Sequence, residues 1–212
     1  MLKLSLRNAK RILLLGAHSD DIEIGCGGTI LKLAKSNPKL EIVWVVFSAE
    51  GARRREARAS AQLFLKEVSQ SKIVLKNFRS SFFPAQGESI KKFFETLKRS
   101  FNPDIVFTHY REDRHQDHRL LSDLAWNTFR DHFIAEYEIP KYDGDLGIPN
   151  LFVPLDEAIC RRKAQHLCRI FGTQKSRHWF SEDTFLALMR LRGVECASRY
   201  AEAFHCRKMT CG

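Results

Sequence analysis

The sequence predicts an α/β fold built on a mostly parallel sheet, as one domain over residues 1–212. Three observations predict it. Short, continuous apolar runs alternate along the chain with amphipathic stretches of crossover length. The clearest runs carry no polar alternation, as strands covered on both faces require. The clusters of histidine and carboxylate fall just after such runs, where ligands gather in parallel sheets.

In chain order, residues 12–15 form a first buried strand. A helix is expected over about residues 25–35, carrying Ile30, Leu31, Leu33 and Ala34, and Asn37-Pro38 ends it. Residues 41–47 are β-branched and aromatic and predict the second strand. A helix over 53–68 lines up Ala57, Ala61, Phe64, Leu65 and Val68. A short strand at 73–75 and an irregular stretch at 80–86 follow, where Phe82-Phe83-Pro84 either lines a pocket or plugs the core. A helix over 89–99 with Ile90, Phe93, Phe94 and Leu97, a strand at 104–108 and a helix over 116–132 come next. Residues 133–137 read as strand, 138–150 as a loop rich in Pro, Gly and Asp, and 151–153 as strand. Asp156 can cap a helix to about residue 171, a turn spans 172–177, and a last helix runs over 182–197 before Tyr200 to Phe204.

The chain carries a formal charge of +10, with 44% hydrophobic residues. Its basic residues are dispersed, and no RNP, zinc-finger or helix-turn-helix pattern accompanies them, so no nucleic-acid partner is expected. An anionic small molecule, or peripheral contact with an anionic membrane, suits the charge equally well. Six cysteines form no CxxC pair, and charges interrupt the N-terminal residues before an export signal can form. A reduced, cytoplasmic protein is the expectation. Cys196, His205, Cys206 and Cys211 could be imagined as a zinc knuckle, but their spacing is not a recognised one.

The chemistry concentrates in two stretches. Gly16-Ala17-His18-Ser19-Asp20-Asp21 follows the first strand, and His115-Gln116-Asp117-His118 follows the strand at 104–108. A catalytic zinc takes three protein ligands and keeps one position for water. His18, Asp21 and His118 can supply those three, and water on such an ion approaches a pKa of about 7. Asp20 is then left to accept the proton of that water. His115 can stabilise an oxyanion or protonate a leaving amine, and Asp117 can orient one of its two histidine neighbours. Each cluster alone has a plainer reading: Asp20-Asp21 as a helix cap, His18 as an incidental polar residue, residues 115–118 as a solvated helix start. Their joint placement at strand ends favours a site. Gly25-Cys26-Gly27-Gly28 also suggests a nucleotide loop, but it lacks the full G-x-G-x-x-G, and Asp20, Asp21 and Glu23 would repel a pyrophosphate.

Ala17-His18-Ser19-Asp20-Asp21 with Gly25-Cys26-Gly27-Gly28-Thr29 resembles the AHPDD…GCGGT signature of the PIG-L/LmbE-like N-deacetylases. Glu50-Gly51 with Arg53-Arg54-Arg55-Glu56-Ala57, His115-Gln116-Asp117-His118-Arg119 and Tyr200-Ala201-Glu202-Ala203-Phe204 resemble three further family segments, in order. The resemblance implies a Rossmann-like fold with helices on both faces of the sheet, and a divalent metal, usually zinc, with Fe2+ or another divalent ion as the alternative. It implies removal of the acetyl group from an N-acetylglucosamine-type conjugate on an anionic or lipid carrier. By position it makes His18, Asp21 and His118 the metal ligands and Asp20 the general base. His115 becomes the residue that stabilises the tetrahedral intermediate, with Asp117 as its partner, and Arg53 and Glu50 become substrate contacts. Ser19 and Gln116 replace prolines of the family pattern, and neither position supplies a ligand. The loop 138–150 is read as a substrate wall or an ordinary surface loop, and His109 and Asp113 as supports of the metal ligands or as loop solvation. Two alternatives stand beside deacetylation: another zinc-dependent amidase or esterase, and a non-catalytic basic protein that binds anions or nucleic acid.

Overall fold

Seven strands order as β3-β2-β1-β4-β5-β7-β6 in the computed structural model, which describes residues 5–210. Cys211, the fourth member of the imagined knuckle, lies outside the described residues. The strands are β1 (Arg11–Gly16), β2 (Glu41–Val46), β3 (Gln70–Leu75), β4 (Ile105–His109), β5 (Phe133–Tyr137), β6 (Leu151–Leu155) and β7 (Tyr200–His205). The first five run parallel to one another, with β1 in register with β2 from Arg11↔Glu41 to Gly16↔Val46. β7 runs antiparallel to both β5 and β6, so the final Tyr200 segment is a strand wedged into the sheet.

The helices are α1 (Asp21–Ser36), α2 (Gly51–Phe64), α3 (Gly87–Ser100), α4 (Gln116–Thr128), α5 (Glu157–Ile170) and α6 (Glu182–Glu195). They divide by face, as period-two burial along the strands requires. Ile12 and Leu14 of β1 pack with the apolar stripes of α1, α2, α5 and α6, while Leu13 and Leu15 pack with those of α3 and α4. Phe83 is buried in the second of these layers and Phe82 is 46% exposed, so the Phe-Phe-Pro segment plugs the core through one ring. No helix among the described residues is long and apolar enough to cross a membrane.

One expectation is corrected with consequences for the site. The first helix begins at Asp21, not near Gly25, so the glycines stand inside α1. They serve packing: a Cβ on Gly25 would lie 2.1 Å from the Tyr137 ring, and one on Gly28 would lie 2.5 Å from Leu155. Glycines within a helix cost helix propensity, and here they let α1 lie close against the sheet.

Candidate active site at the strand-order switch

β1 and β4 are neighbours, yet the chain leaves them in opposite directions, to β2 and to β5. Ligands settle at this kind of switch point. His18 lies in the loop after β1, Asp20 is the N-cap of α1 and Asp21 its first residue. Asp113 lies after β4, His115 is the N-cap of α4, and Asp117 and His118 open that helix. Asp20 makes no capping hydrogen bond, which sets aside the plainer reading of that carboxylate.

The two loops meet. His18 Nδ1 is 3.2 Å from His118 Nε2. Asp21 Oδ2 is 3.3 Å from the former and 3.5 Å from the latter. Hydrogen bonds fix what each atom offers. His118 Nδ1 donates to Asp113 Oδ2 at 2.9 Å, so its Nε2 carries a lone pair. His18 Nε2 donates to Asp117 Oδ2 at 3.1 Å, so in the neutral ring its Nδ1 carries one too. Asp21 Oδ2 also accepts the His18 amide at 2.6 Å, and a positive charge among these atoms, the proton of His18 or a cation that displaces it, balances them. Donors bound at 2.0–2.1 Å around a tetrahedral zinc lie about 3.3 Å apart, which matches the spacing here. This donor set fits a divalent cation.

The electrostatics agree. Burial alone would lower the His18 pKa, but Asp21, Asp117 and Asp20 outweigh it and raise it to about 9. Burial, helped by the neighbouring His109 ring, pushes His118 down to about 3. Asp21 is held well below the usual carboxylate range: burial works the other way, and His118, His109 and His18 overcome it. The pocket is built to attract positive charge.

Two other histidines lie close enough to compete as ligands. His18, His115 and His118 place ring nitrogens within 4.8 Å of one another, as Asp21, His109 and His118 place their ligand atoms. Both extra rings are engaged. His109 Nε2 accepts Ala17 N–H at 3.0 Å, and His115 Nδ1 accepts Asp117 N–H at 3.2 Å. The neutral His115 ring therefore carries its proton on Nε2, and burial together with the charge on His18 lowers its pKa. It is a ready neutral donor.

Asp20 stands apart from the cluster. It is buried and pairs with Arg53 Nη2 at 2.7 Å. Burial raises its pKa, with Arg53 opposing, so this carboxylate takes up a proton more readily than an ordinary aspartate.

Asp117 corrects one expected pairing. Its carboxylate serves His18, not His115, and receives Ser81 N–H at 2.6 Å and Phe83 N–H at 3.0 Å besides. Adjacency in sequence does not bring it to His115, because at the start of α4 that ring caps the Asp117 amide. Glu50 is also displaced from its expected place: it is exposed at the N-cap of α2 and does not line the cavity.

A cavity of about 250 Å³ opens over the cluster. Arg53 lines it, as expected, and so do Ile139, Lys141, Tyr142 and Asp143, which makes the loop 138–150 a wall. Ser80, Ser81, Gln174, Arg177 and Trp179 line it too, and sequence reasoning missed them. Their segments are short and without periodicity, so they carry no local signal. His109 and Asp113 were legible only as support candidates. Asp113 does hold His118, and it also takes His115 N–H at 2.7 Å and the Lys141 ammonium at 3.1 Å.

The family model described as PIG-L: GlcNAc-PI de-N-acetylase matches residues 13–129, which spans both motif loops. The chain is 30% identical over 150 residues to the uncharacterised deacetylase YaiS of Escherichia coli K12, covering 65% of this chain and 78% of that one. Among solved structures it resembles the N,N'-diacetylchitobiose deacetylase of Pyrococcus horikoshii, with a TM-score of 0.66 and 23% identity over 95% of this chain and 85% of that one. It also resembles GalB, the 4-carboxy-2-hydroxymuconate hydratase of Pseudomonas putida KT2440, with a TM-score of 0.75 and 18% identity over 96% and 99%. At these identities the structural likenesses establish the fold, and one fold evidently hosts unlike reactions.

Proposed function

Because the chain belongs to the PIG-L family of deacetylases, we propose that it is a metal-dependent N-deacetylase acting on an N-acetylglucosamine-type sugar conjugate. The observation that carries this reading is the convergence of His18 Nδ1, His118 Nε2 and Asp21 Oδ2 at 3.2–3.5 Å beside a separate buried carboxylate, Asp20. In this reading His18, Asp21 and His118 hold the ion, and two imidazoles with one carboxylate suit zinc, with Fe2+ or another divalent ion as the alternative. A divalent ion held there supplies Lewis acidity towards a water and towards the amide carbonyl.

This chain's residues do the rest. Asp20 takes the proton of the attacking water, a task its burial favours. His115 donates its Nε2 proton as a hydrogen bond to the carbonyl oxygen as negative charge grows there. Asp113 and Asp117 fix the tautomers of His118 and His18. The carbon–nitrogen bond then breaks, Asp20 returns its proton to the amine, and acetate and a free amino sugar leave. The cavity lies near the lower end of small-molecule sites, which span roughly 300–1,000 Å³, so the acetamido sugar enters while its carrier stays outside. Of the basic residues that line the cavity, Arg53 and Lys141 are paired with Asp20 and Asp113, which leaves Arg177 to meet an anionic carrier.

The test is acetate release by zinc-loaded protein from N-acetylglucosamine, diacetylchitobiose, N-acetylglucosamine 1-phosphate and N-acetylglucosaminyl-phosphatidylinositol. Turnover of at least one, lost with a chelator and restored by zinc or iron, is expected. Protein that takes up neither ion, or releases acetate from none of the four, overturns the reading.

A further inference from the structure

The proposed chemistry leaves unused a second buried set of charges. Lys163 on α5 and Glu202 on β7 are 3% and 4% exposed, and they pair at 2.6 Å. The rest of their bonding is spent on the backbone of α1. Glu202 Oε1 accepts Gly28 N–H at 2.7 Å and Oε2 accepts Thr29 N–H at 2.6 Å. Lys163 Nζ donates to the Ile24 carbonyl at 2.6 Å. In a regular helix those two amides would serve the carbonyls of Ile24 and Gly25. The pair thus bonds to the backbone of α1 from the side, an acceptor at its amides and a donor at its carbonyl.

The glycines make room for it. A Cβ on Gly28 would lie 3.0 Å from Glu202 Oε1, and one on Gly25 would strike the Tyr137 ring. The backbone groups it holds, at Ile24, Gly28 and Thr29, begin one turn beyond Asp20 and Asp21, the residues that open α1. Taking a lysine and a glutamate out of water is costly unless their bonding is well satisfied, and here it is satisfied by one helix segment.

We propose that Lys163 and Glu202 form a clamp that sets the direction of the first turn of α1 and so places Asp20 and Asp21 in the site. Both are positioning residues. The claim rests on the deacetylase reading only for what the placed carboxylates do. The glycine-rich and Tyr-Ala-Glu-Ala-Phe segments, 174 residues apart at Gly28 and Glu202, are then two halves of one device.

The variants are Glu202→Ala, Lys163→Met and the conservative Glu202→Gln, which keeps one acceptor oxygen. The readouts are amide hydrogen exchange of the segment 21–29, zinc affinity by chelator competition, and kcat and KM separately. In the folded variants, exchange in 21–29 rises at least tenfold while the β1, β2 and β4 peptides keep their protection. Zinc binding weakens about tenfold, kcat falls by a similar factor with KM unchanged, and Glu202→Gln lies between wild type and the others. Wild-type exchange and zinc affinity in the variants overturn the clamp, and so does an even loss of protection across the sheet. If Glu202→Ala does not fold, Lys163→Met and Glu202→Gln decide. If wild type deacetylates none of the sugars, the deacetylase reading falls, while the exchange measurement still judges the clamp.

Discussion

Two buried charged sets bracket the first turn of α1, and they differ in how far their hydrogen bonding is used. Beneath it, both Glu202 oxygens and the Lys163 ammonium are engaged by backbone or by each other. Above it, His18 Nδ1, His118 Nε2 and Asp21 Oδ2 converge, and of the three only Asp21 Oδ2 is held by a backbone donor, the His18 amide at 2.6 Å. A network closed on the backbone fixes architecture, whereas one whose lone pairs face each other has room for something from outside. Burial and charge alone would not separate the two; the accounting of donors and acceptors does.

The sharpest way to break this contrast is to remove a donor from the open set. His118→Ala is expected to abolish stoichiometric zinc in purified protein and to lower acetate release by at least about 1,000-fold. Metal retained at wild-type stoichiometry would place the cation elsewhere. Asp20→Asn belongs to the same region but not to the donor set. It should keep the metal and lose roughly 100- to 10,000-fold in kcat, as expected for a lost general base. Equal loss of metal in both variants would merge the roles kept apart here. Asp113→Asn, which loosens the His118 tautomer, should weaken zinc binding about 10- to 100-fold, as read by titration against a chelator.

The saturated side responds in stability. Gly25→Ala drives a methyl into the Tyr137 ring and should cost about 1–3 kcal/mol in denaturant unfolding. The smallest effect concerns pH. Burial, aided by Arg192, holds His205 down to about 4, while the unfolded chain titrates it near 6.5. Between these values the unfolded state binds more protons, so stability falls as pH drops from about 6.5 towards 4. His205→Phe should flatten that part of the stability–pH curve, and an unchanged slope would remove His205 as its source.

The sheet was legible in the sequence because buried parallel strands leave continuous apolar runs, as at β1, β2 and β4. The antiparallel insertion of β7 was not, since strand order is set by long-range packing. The start of α1 was misplaced because glycine reads as a breaker, and close approach to Tyr137 and Leu155 reverses that preference. Within the site, residue types and spacing singled out His18, Asp20, Asp21, His115 and His118, and the structure brings their side chains to one cavity. The partner of Asp117 was misread because neighbours on a helix point apart. Lys163 and Glu202 lie 39 residues apart on an α-helix and a strand, and no local pattern announces such a pair.

On α2, Arg53 reaches Asp20, while Glu56, one turn on, takes the Thr173 amide at 2.9 Å and its hydroxyl at 2.6 Å. That second contact pins the short turn from which Gln174, Arg177 and Trp179 meet the cavity. A single turn of helix is thus a shared mount for the Asp20 carboxylate and for the far wall. A shift of α2 would carry both with it. The loop 138–150 forms a different wall on a separate segment, so it can change without moving either Asp20 or the turn at 172–174.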